Sequence, residues 1–312
     1  MKKILLKNGL EVAEVALGAM NFGTSTSKED AYKILDLYVE QGGNFIDTSN
    51  NYAHWLGTGD ESETVLGQWL RDRGGREDLI IATKVGFDRH GQGAGLKREQ
   101  IEYWIDESLR KLGTDYIDLY YAHTDDPNTP MEETMETFDR LVKKGKVRHL
   151  GNSNFDTWRL AEANMLAENR GLTPYTAMQQ CFTYLQPDFN IAPKYKFNEM
   201  VNRERLRYLC DKDMPLVAYS CLCKGGYDVP ERLPAIYGDG GERFALIRKM
   251  AAEKGVNPSA IVVSWLVNIH RLEGYPRVIP LFAASANHFA DNLRGLEISL
   301  TDEELAIMEQ TK

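Results

Sequence analysis

The sequence predicts an α/β protein: a (β/α)8 TIM barrel of parallel strands, with an N-terminal β-hairpin at the barrel bottom. Three observations carry this. Short, near-continuous apolar runs alternate with longer amphipathic ones, as expected when helices cover both faces of a parallel strand. Eight such runs follow one another at an average spacing of about 35 residues, a unit length that suits a barrel of about 250 residues or somewhat more. The first run leads into Leu17-Gly-Ala-Met-Asn-Phe-Gly23. Its two glycines lack the spacing of a G-x-G-x-x-G turn, and no helix start follows at once, which disfavours an open dinucleotide-binding sheet.

The elements follow in order. Ile4-Leu-Leu-Lys-Asn-Gly-Leu-Glu-Val12 places Asn8-Gly9 between apolar runs, the strongest short hairpin signal. The barrel strands are expected at 15–17, 44–47, 79–84, 116–122, 147–151, 176–179, 216–219 and 277–279. Residues 28–41 put Ala31, Ile34, Leu35, Tyr38 and Val39 on one helical stripe, stopped by Gly42-Gly43. Residues 98–112 repeat the pattern with Ile101, Ile105, Leu109 and Leu112, stopped by Gly113. Residues 131–144 do so with Met135, Phe138, Leu141 and Val142, stopped by Gly145. Further helices are expected at 156–169 and 202–211, and Glu61-Ser62 near the start of another. The least regular stretches are 186–201 and 221–241, long enough to read as functional or mobile loops.

With 312 residues, 43% of them apolar and 27% charged, the chain reads as globular. It has 37 basic and 46 acidic residues, a formal charge of −9, and no basic tail or basic helix, so nucleic acid and anionic membrane surfaces are disfavoured partners. No apolar run reaches membrane-spanning length, and charges break the N-terminal one. Cys181, Cys210, Cys221 and Cys223 fit neither a disulfide scaffold nor a zinc site, so no metal is expected and the thiols read as buried or pocket-wall residues. A reducing cytoplasm is the expected compartment. No Pro/Gly/Ser-rich linker interrupts the chain, so residues 1–312 are expected to form one domain.

In a barrel of this kind the chemistry sits at the C-terminal ends of the strands. The second barrel strand ends in Phe45-Ile-Asp47, with Tyr52 in the loop beyond. The third ends in Ile80-Ile-Ala-Thr-Lys84, and the fourth in Tyr120-Tyr-Ala-His123. Singly, such an Asp caps a turn, such a Lys is solvated, and a buried His or Tyr is a hydrogen-bonded core residue. At successive strand ends their roles interlock. Lys84 and Asp47 can pair at the bottom of a cleft. An ammonium beside Tyr52 favours tyrosinate and lowers the phenol's pKa, which makes a usable general acid. His123 can hydrogen-bond and orient a substrate oxygen.

These residues stand in motifs that resemble the aldo-keto reductase superfamily. Phe45-Ile-Asp-Thr-Ser-Asn-Asn-Tyr52 is similar to its first signature. Asp115-Tyr-Ile-Asp-Leu-Tyr-Tyr-Ala-His123, with Asp126-Pro127 and Gly145-Lys-Val-Arg-His-Leu-Gly-Asn-Ser-Asn154, is similar to its middle signature. The likeness runs from the hairpin to Ser299-Leu-Thr-Asp-Glu-Glu304. It implies a barrel that binds NADP or NAD and reversibly reduces an aldehyde or ketone to an alcohol. Tyr52 would be the general acid, Lys84 and Asp47 would tune it, and His123 would orient the carbonyl.

The resemblance also implies the cofactor contacts. Ser153, Asn154 and Gln179 would hold the carboxamide, with Gln180 the alternative register. Tyr219 would stack on the nicotinamide ring and leave one face open. Ser220, Leu222, Lys224 and Gly225 would wrap the pyrophosphate. Met20 would lie near the nicotinamide ribose, and Asp47 touches the same region. Ser153-Asn154 also reads as a helix cap and Tyr219 as core. After the last strand the family offers basic residues to an adenosine 2′-phosphate. Here Phe282, Ala283, Ser285 and His288 stand at those positions, and Asn292 alone keeps the adenine-side contact. A weaker preference for NADPH over NADH than is usual is therefore expected.

Tyr52, His123, Trp55 and Phe87 would border the substrate, a small carbonyl compound, with a sugar-derived one as a guess. Trp55 also reads as a surface-loop anchor. Two other classes stay in view. One is a cofactor-binding regulatory subunit with little turnover, resembling potassium channel β subunits. The other is an aldolase or isomerase that forms a Schiff base on Lys84. Cofactor oxidation over a carbonyl panel separates the first from an enzyme, and borohydride trapping on Lys84 tests the second. Oligomeric state is not legible.

Overall fold

The structure, a computed structural model, describes residues 1–88, 91, 94–191, 200–283 and 286–311, without the side chains of 283 and 286–288. Ser285 and the side chains of Ala283 and His288 therefore lie outside the described residues. Strands β1 (Lys3–Leu5) and β2 (Glu11–Ala13) form the N-terminal antiparallel hairpin. Gly9 supplies the positive φ of its turn (+89°), which only a residue without Cβ takes at no cost.

Eight parallel strands close into a barrel: β3 (Ala16–Gly18), β4 (Phe45–Asp47), β5 (Ile80–Val85), β6 (Ile117–Ala122), β7 (Val147–Ser153), β8 (Tyr175–Cys181), β9 (Leu216–Tyr219) and β10 (Val278–Ala283). All eight expected strands are present. β3 begins one residue later than expected, and β7, β8 and β10 run further at their C-terminal ends. The helices are α1 (Lys28–Glu40), α2 (Glu61–Arg73), α3 (Arg98–Leu112), α4 (Met131–Lys143), α5 (Thr157–Arg170), α6 (Arg203–Asp211), α7 (Gly241–Lys254), α8 (Pro258–Asn268), α9 (Ala286–Leu293) and α10 (Asp302–Gln310).

By internal packing the chain divides into two compact units, residues 2–179 and residues 180–312 with Met1. In the first unit the hairpin is tied to the N-terminal ends of strands. Asn8 Nδ2 donates to Thr176 Oγ1 (2.9 Å) at the start of β8. The Ala13 amide donates to Asn44 Oδ1 (2.7 Å) just before β4. The α1 stripe of Ala31, Ile34, Leu35 and Tyr38 is buried, and Ser27 caps the helix by accepting from the Asp30 amide. Tyr38 OH bonds the carbonyls of Val15 (2.8 Å) and Phe45 (3.0 Å), which holds α1 against β4. Gly67 lets α2 press onto α3, since a Cβ there would stand 2.1 Å from the Lys111 carbonyl.

In the second unit β9 and β10 pair in parallel, Leu216 opposite Val278. Trp265 on α8 is buried among Phe182 and Tyr184. Tyr184 OH donates to the Met308 carbonyl (2.8 Å) and so anchors α10. Among the described residues no helix is long and apolar enough to cross a membrane.

Candidate active site

The register of the first unit brings its charged strand ends together. Asp47 closes β4 opposite Ala82 of β5, and Lys84 lies two residues further along β5 on the same face. Lys84 stands opposite Tyr121 of β6, and Tyr121 opposite Gly151 of β7. A Cβ on Gly151 would stand 2.4 Å from the Tyr121 ring, so glycine there is what gives that ring its room. His123 follows β6, its amide continuing the ladder to the Val85 carbonyl (2.8 Å).

Lys84 and Asp47 are fully buried. Lys84 Nζ donates to Asp47 Oδ1 (2.5 Å), to the Thr48 carbonyl (2.7 Å) and to Tyr52 OH (2.7 Å). Those are the three donors of one ammonium group. Tyr52 OH in turn donates to Asp47 Oδ1 (3.0 Å). The other oxygen, Asp47 Oδ2, accepts from Gln179 Nε2 (2.7 Å) on β8. Burial pulls the Lys84 pKa down, and the Asp47 charge pulls it back up. The ammonium also sits 4.5 Å from the Tyr52 ring centroid.

His123 lies edge-to-face with Tyr52 (ring centroids 5.9 Å apart) and with Phe87 (4.6 Å). Burial and the Lys84 charge hold its pKa well below the usual imidazole value. Its Nδ1 faces Ser49 Oγ at 3.2 Å. Asp47, Tyr52, Lys84 and His123 thus come together, and three partners missed by sequence reasoning join them: the Thr48 carbonyl, Ser49, and Gln179 in the role of an Asp47 donor. Phe87 is 39% exposed beside His123, whereas Trp55 is 59% exposed and packs edge-on against His54 (5.2 Å).

Further along the first unit, Ser153 and Asn154 are buried at the end of β7. Asn154 has a positive φ (+56°) and donates from Nδ2 to the His123 carbonyl (2.9 Å) and to Ser153 Oγ (3.2 Å). Asp156, not this pair, is the N-cap residue of α5. Gln179 faces Asp47, and its neighbour Gln180 points to the other side of the strand. Met20 is half-buried in the turn after β3.

In the second unit, half-buried Tyr219 ends β9 and a left-handed turn follows, with positive φ at Ser220, Cys223, Lys224 and Gly225. Cys221 and Cys223 are buried beneath it. Thr183 Oγ1 donates to the Cys221 carbonyl (2.6 Å) and lies 2.8 Å from Tyr227 OH. Ser220 and Lys224 are turned outward, and Leu222 and Gly225 are half-buried. Asn292 is half-buried on α9, and Phe282 is buried on β10.

A second buried ionic cluster backs β5. Glu63 on α2 accepts from Thr83 Oγ1 (2.7 Å) and from Lys111 Nζ (2.9 Å) on α3, and Lys111 also pairs with Asp60 (2.7 Å). Glu63 is fully buried, and its charge adds to the pull that raises the Lys84 pKa.

The profile of the Aldo/keto reductase family matches residues 14–312. The aldo-keto reductase ausK of Emericella nidulans is 30% identical over 96% of this chain and 78% of its own length. The norsolorinic acid reductase stcV of the same organism is 31% identical over 97% of this chain and 79% of its own length. The NADP(+) aryl-alcohol dehydrogenase of Phanerodontia chrysosporium is 28% identical over 97% of this chain and 83% of its own length. A closed barrel of eight parallel strands, a matched profile and these relatives together establish that the chain belongs to the aldo/keto reductase family, NAD(P)-dependent oxidoreductases that interconvert carbonyls and alcohols.

Proposed function

We propose that Tyr52 is the general acid in reduction of an aryl aldehyde or ketone, and the general base in the reverse reaction. The carrying observation is the phenol oxygen held 2.7 Å from a buried ammonium and 3.0 Å from a buried carboxylate. An ammonium that donates to the phenol oxygen stabilises tyrosinate, so the proton leaves more readily. Asp47 keeps Lys84 charged against its desolvation, and Gln179 holds the second Asp47 oxygen in place. The saturated donor set of Lys84 supports a tuning role and speaks against a free amine awaiting a carbonyl.

A dihydronicotinamide, when bound, supplies the hydride. Polar side chains fit such a group: Ser153 and Asn154, buried at the end of β7, offer a hydroxyl and a carboxamide, and Gln179 offers its amide oxygen. We assign the carboxamide to these three, and the nicotinamide ribose side to Met20 and Asp47. The ring face falls to Tyr219. We assign the pyrophosphate to Ser220, Leu222, Lys224 and Gly225, in a turn whose alternation of negative φ at Leu222 with positive φ at Ser220, Cys223, Lys224 and Gly225 suits phosphate oxygens.

One relative is named for NADP(+), which supports NADP use here. Phe282 and Asn292 supply no charge to a 2′-phosphate, and Arg294, exposed just beyond α9, is the nearest basic residue in sequence. Each missing charge-assisted hydrogen bond forfeits about 1.5–3 kcal/mol. Our reading is therefore NADPH use with a narrow margin over NADH. The name of the aryl-alcohol dehydrogenase supports a reading of aryl over sugar-derived carbonyls, and Phe87 beside His123 offers an aromatic wall.

The test is oxidation of NADPH and NADH over a panel of aryl, aliphatic and sugar-derived carbonyls, with dissociation constants for both reduced cofactors. Turnover of aryl carbonyls with a cofactor margin under about tenfold, or ~1.4 kcal/mol, is expected. Turnover confined to sugars, or a much wider margin, would overturn those parts of the reading.

A further inference from the structure

The two oxygens of Asp47 have different partners. Oδ1 accepts from Lys84 Nζ and Tyr52 OH, and Oδ2 accepts from Gln179 Nε2 (2.7 Å). Gln179 reaches it from β8, four strands away around the barrel from β4. A carboxylate only accepts, so the Gln179 amide turns its nitrogen to Asp47 and its oxygen away. Among the described residues no other group donates to Oδ2. Asp47 is fully buried and Gln179 is 2% exposed, so bulk solvent does not replace that donor.

Two contacts on the Tyr52 oxygen pull in opposite directions. The one from Lys84 favours tyrosinate, and the one to Asp47 Oδ1 favours the protonated phenol. Their balance depends on how strong an acceptor Oδ1 is, and charge drawn toward Oδ2 is charge not held at Oδ1. The same opposition acts on Tyr121, fully buried beside this pair. Burial and the Asp47 charge raise its phenol, and the Gln179 side chain lowers it.

We propose that Gln179 is a positioning residue for proton transfer: by donating to Asp47 Oδ2 it weakens Oδ1 as an acceptor and so loosens the Tyr52 proton. This deepens the reading of Tyr52 as general acid and rests on it. It is separate from the carboxamide contact assigned above, which uses Oε1 at the other end of the same amide. Gln179 itself neither gains nor loses a proton.

The experiment is a pH titration of the cofactor-free enzyme by tyrosinate absorbance. Subtracting the curve of Tyr52→Phe in each background isolates Tyr52 among the 15 tyrosines. Gln179→Met keeps the side-chain length and removes the donor, and is expected to raise the Tyr52 midpoint by about one pH unit. In an Asp47→Asn background, which has no carboxylate for Gln179 to act through, the same substitution is expected to move the midpoint by less than about 0.3 unit. An unmoved midpoint in Gln179→Met, or a shift that persists with Asp47→Asn, overturns the proposal. In alcohol oxidation the acid limb of kcat/KM is expected to rise with the midpoint. A weaker dissociation constant for oxidised cofactor with an unmoved limb would make Gln179 a cofactor contact only, and overturns the proposal as well. A Tyr52→Phe enzyme that still turned over would instead overturn the reading of Tyr52 on which this rests.

Discussion

Lys84 donates to Tyr52: the ammonium nitrogen stands 2.7 Å from the phenol oxygen inside a pocket where the lysine has no solvent contact. On the proposed reading, that contact is what favours loss of the phenol proton, with Asp47 offsetting the desolvation of the ammonium.

Tyr52→Phe removes the proposed proton donor, together with the acceptor of one Lys84 hydrogen bond and a donor to Asp47. Turnover is expected to fall by about 10²–10⁴-fold, the usual contribution of a positioned acid. Cofactor affinity is expected to stay within about threefold, under ~0.7 kcal/mol. Steady-state kinetics and fluorescence titration of the reduced cofactor check both.

Stability is expected to depend on pH through His123. Folding lowers the pKa of this ring below its free value of 6.5, because of burial and the Lys84 charge. Below pH 6.5 the unfolded chain therefore takes up a proton that the folded one refuses. The ring's contribution to stability is complete above that pH and shrinks as the pH falls toward the lowered folded value. His149 and His270 are shifted in the same direction, so the comparison must be with His123→Asn. Melting curves from about pH 5 to pH 7 should show a shallower acid-side decline in that variant.

Glu63→Ala leaves Lys111 buried with Asp60 as its remaining partner. Breaking a buried pair from one side costs about 3–5 kcal/mol, and Asp60 should hold the loss toward the lower figure. Urea unfolding measures it. A loss below about 1 kcal/mol would mean that the pair behaves like an exposed one.

Gly151→Ala drives a methyl into the Tyr121 ring, with Cβ 2.4 Å from its nearest carbon. Overpacking of this kind costs about 1–3 kcal/mol. Because Tyr121 stands opposite Lys84, a drop in turnover is expected to accompany the drop in melting temperature.

Much of this was legible from residue order. Leu216–Tyr219 and Arg98–Leu112 have the bounds expected for them, because a buried parallel strand is one apolar run and a helix ending at a left-handed glycine announces its stop. Gly9 and Gly113 announce themselves through turn chemistry that few other residues tolerate. Asp47, Lys84 and His123 stand out because a charge or an imidazole ends an apolar run. Ser49, Glu63 and the bond from Gln179 to Asp47 do not. The last spans 132 residues of sequence and depends on the register of several intervening strands. Ser49 is a small residue in a polar loop, and its meaning comes only from the imidazole it faces. Glu63 sits in an amphipathic helix where an acid ordinarily faces water, and only the approach allowed by Gly67 reveals that it does not.

The sulfurs beneath the Ser220–Gly225 turn have a practical consequence. Burial raises the Cys221 thiol well above its ordinary pKa and pushes Cys223 up to about 11, so neither offers the thiolate that alkylating reagents and peroxides attack. Iodoacetamide modification of these two side chains at neutral pH therefore times the opening of that segment rather than the chemistry of the sulfur, and slower labelling in the presence of a dinucleotide would give its occupancy without an optical signal.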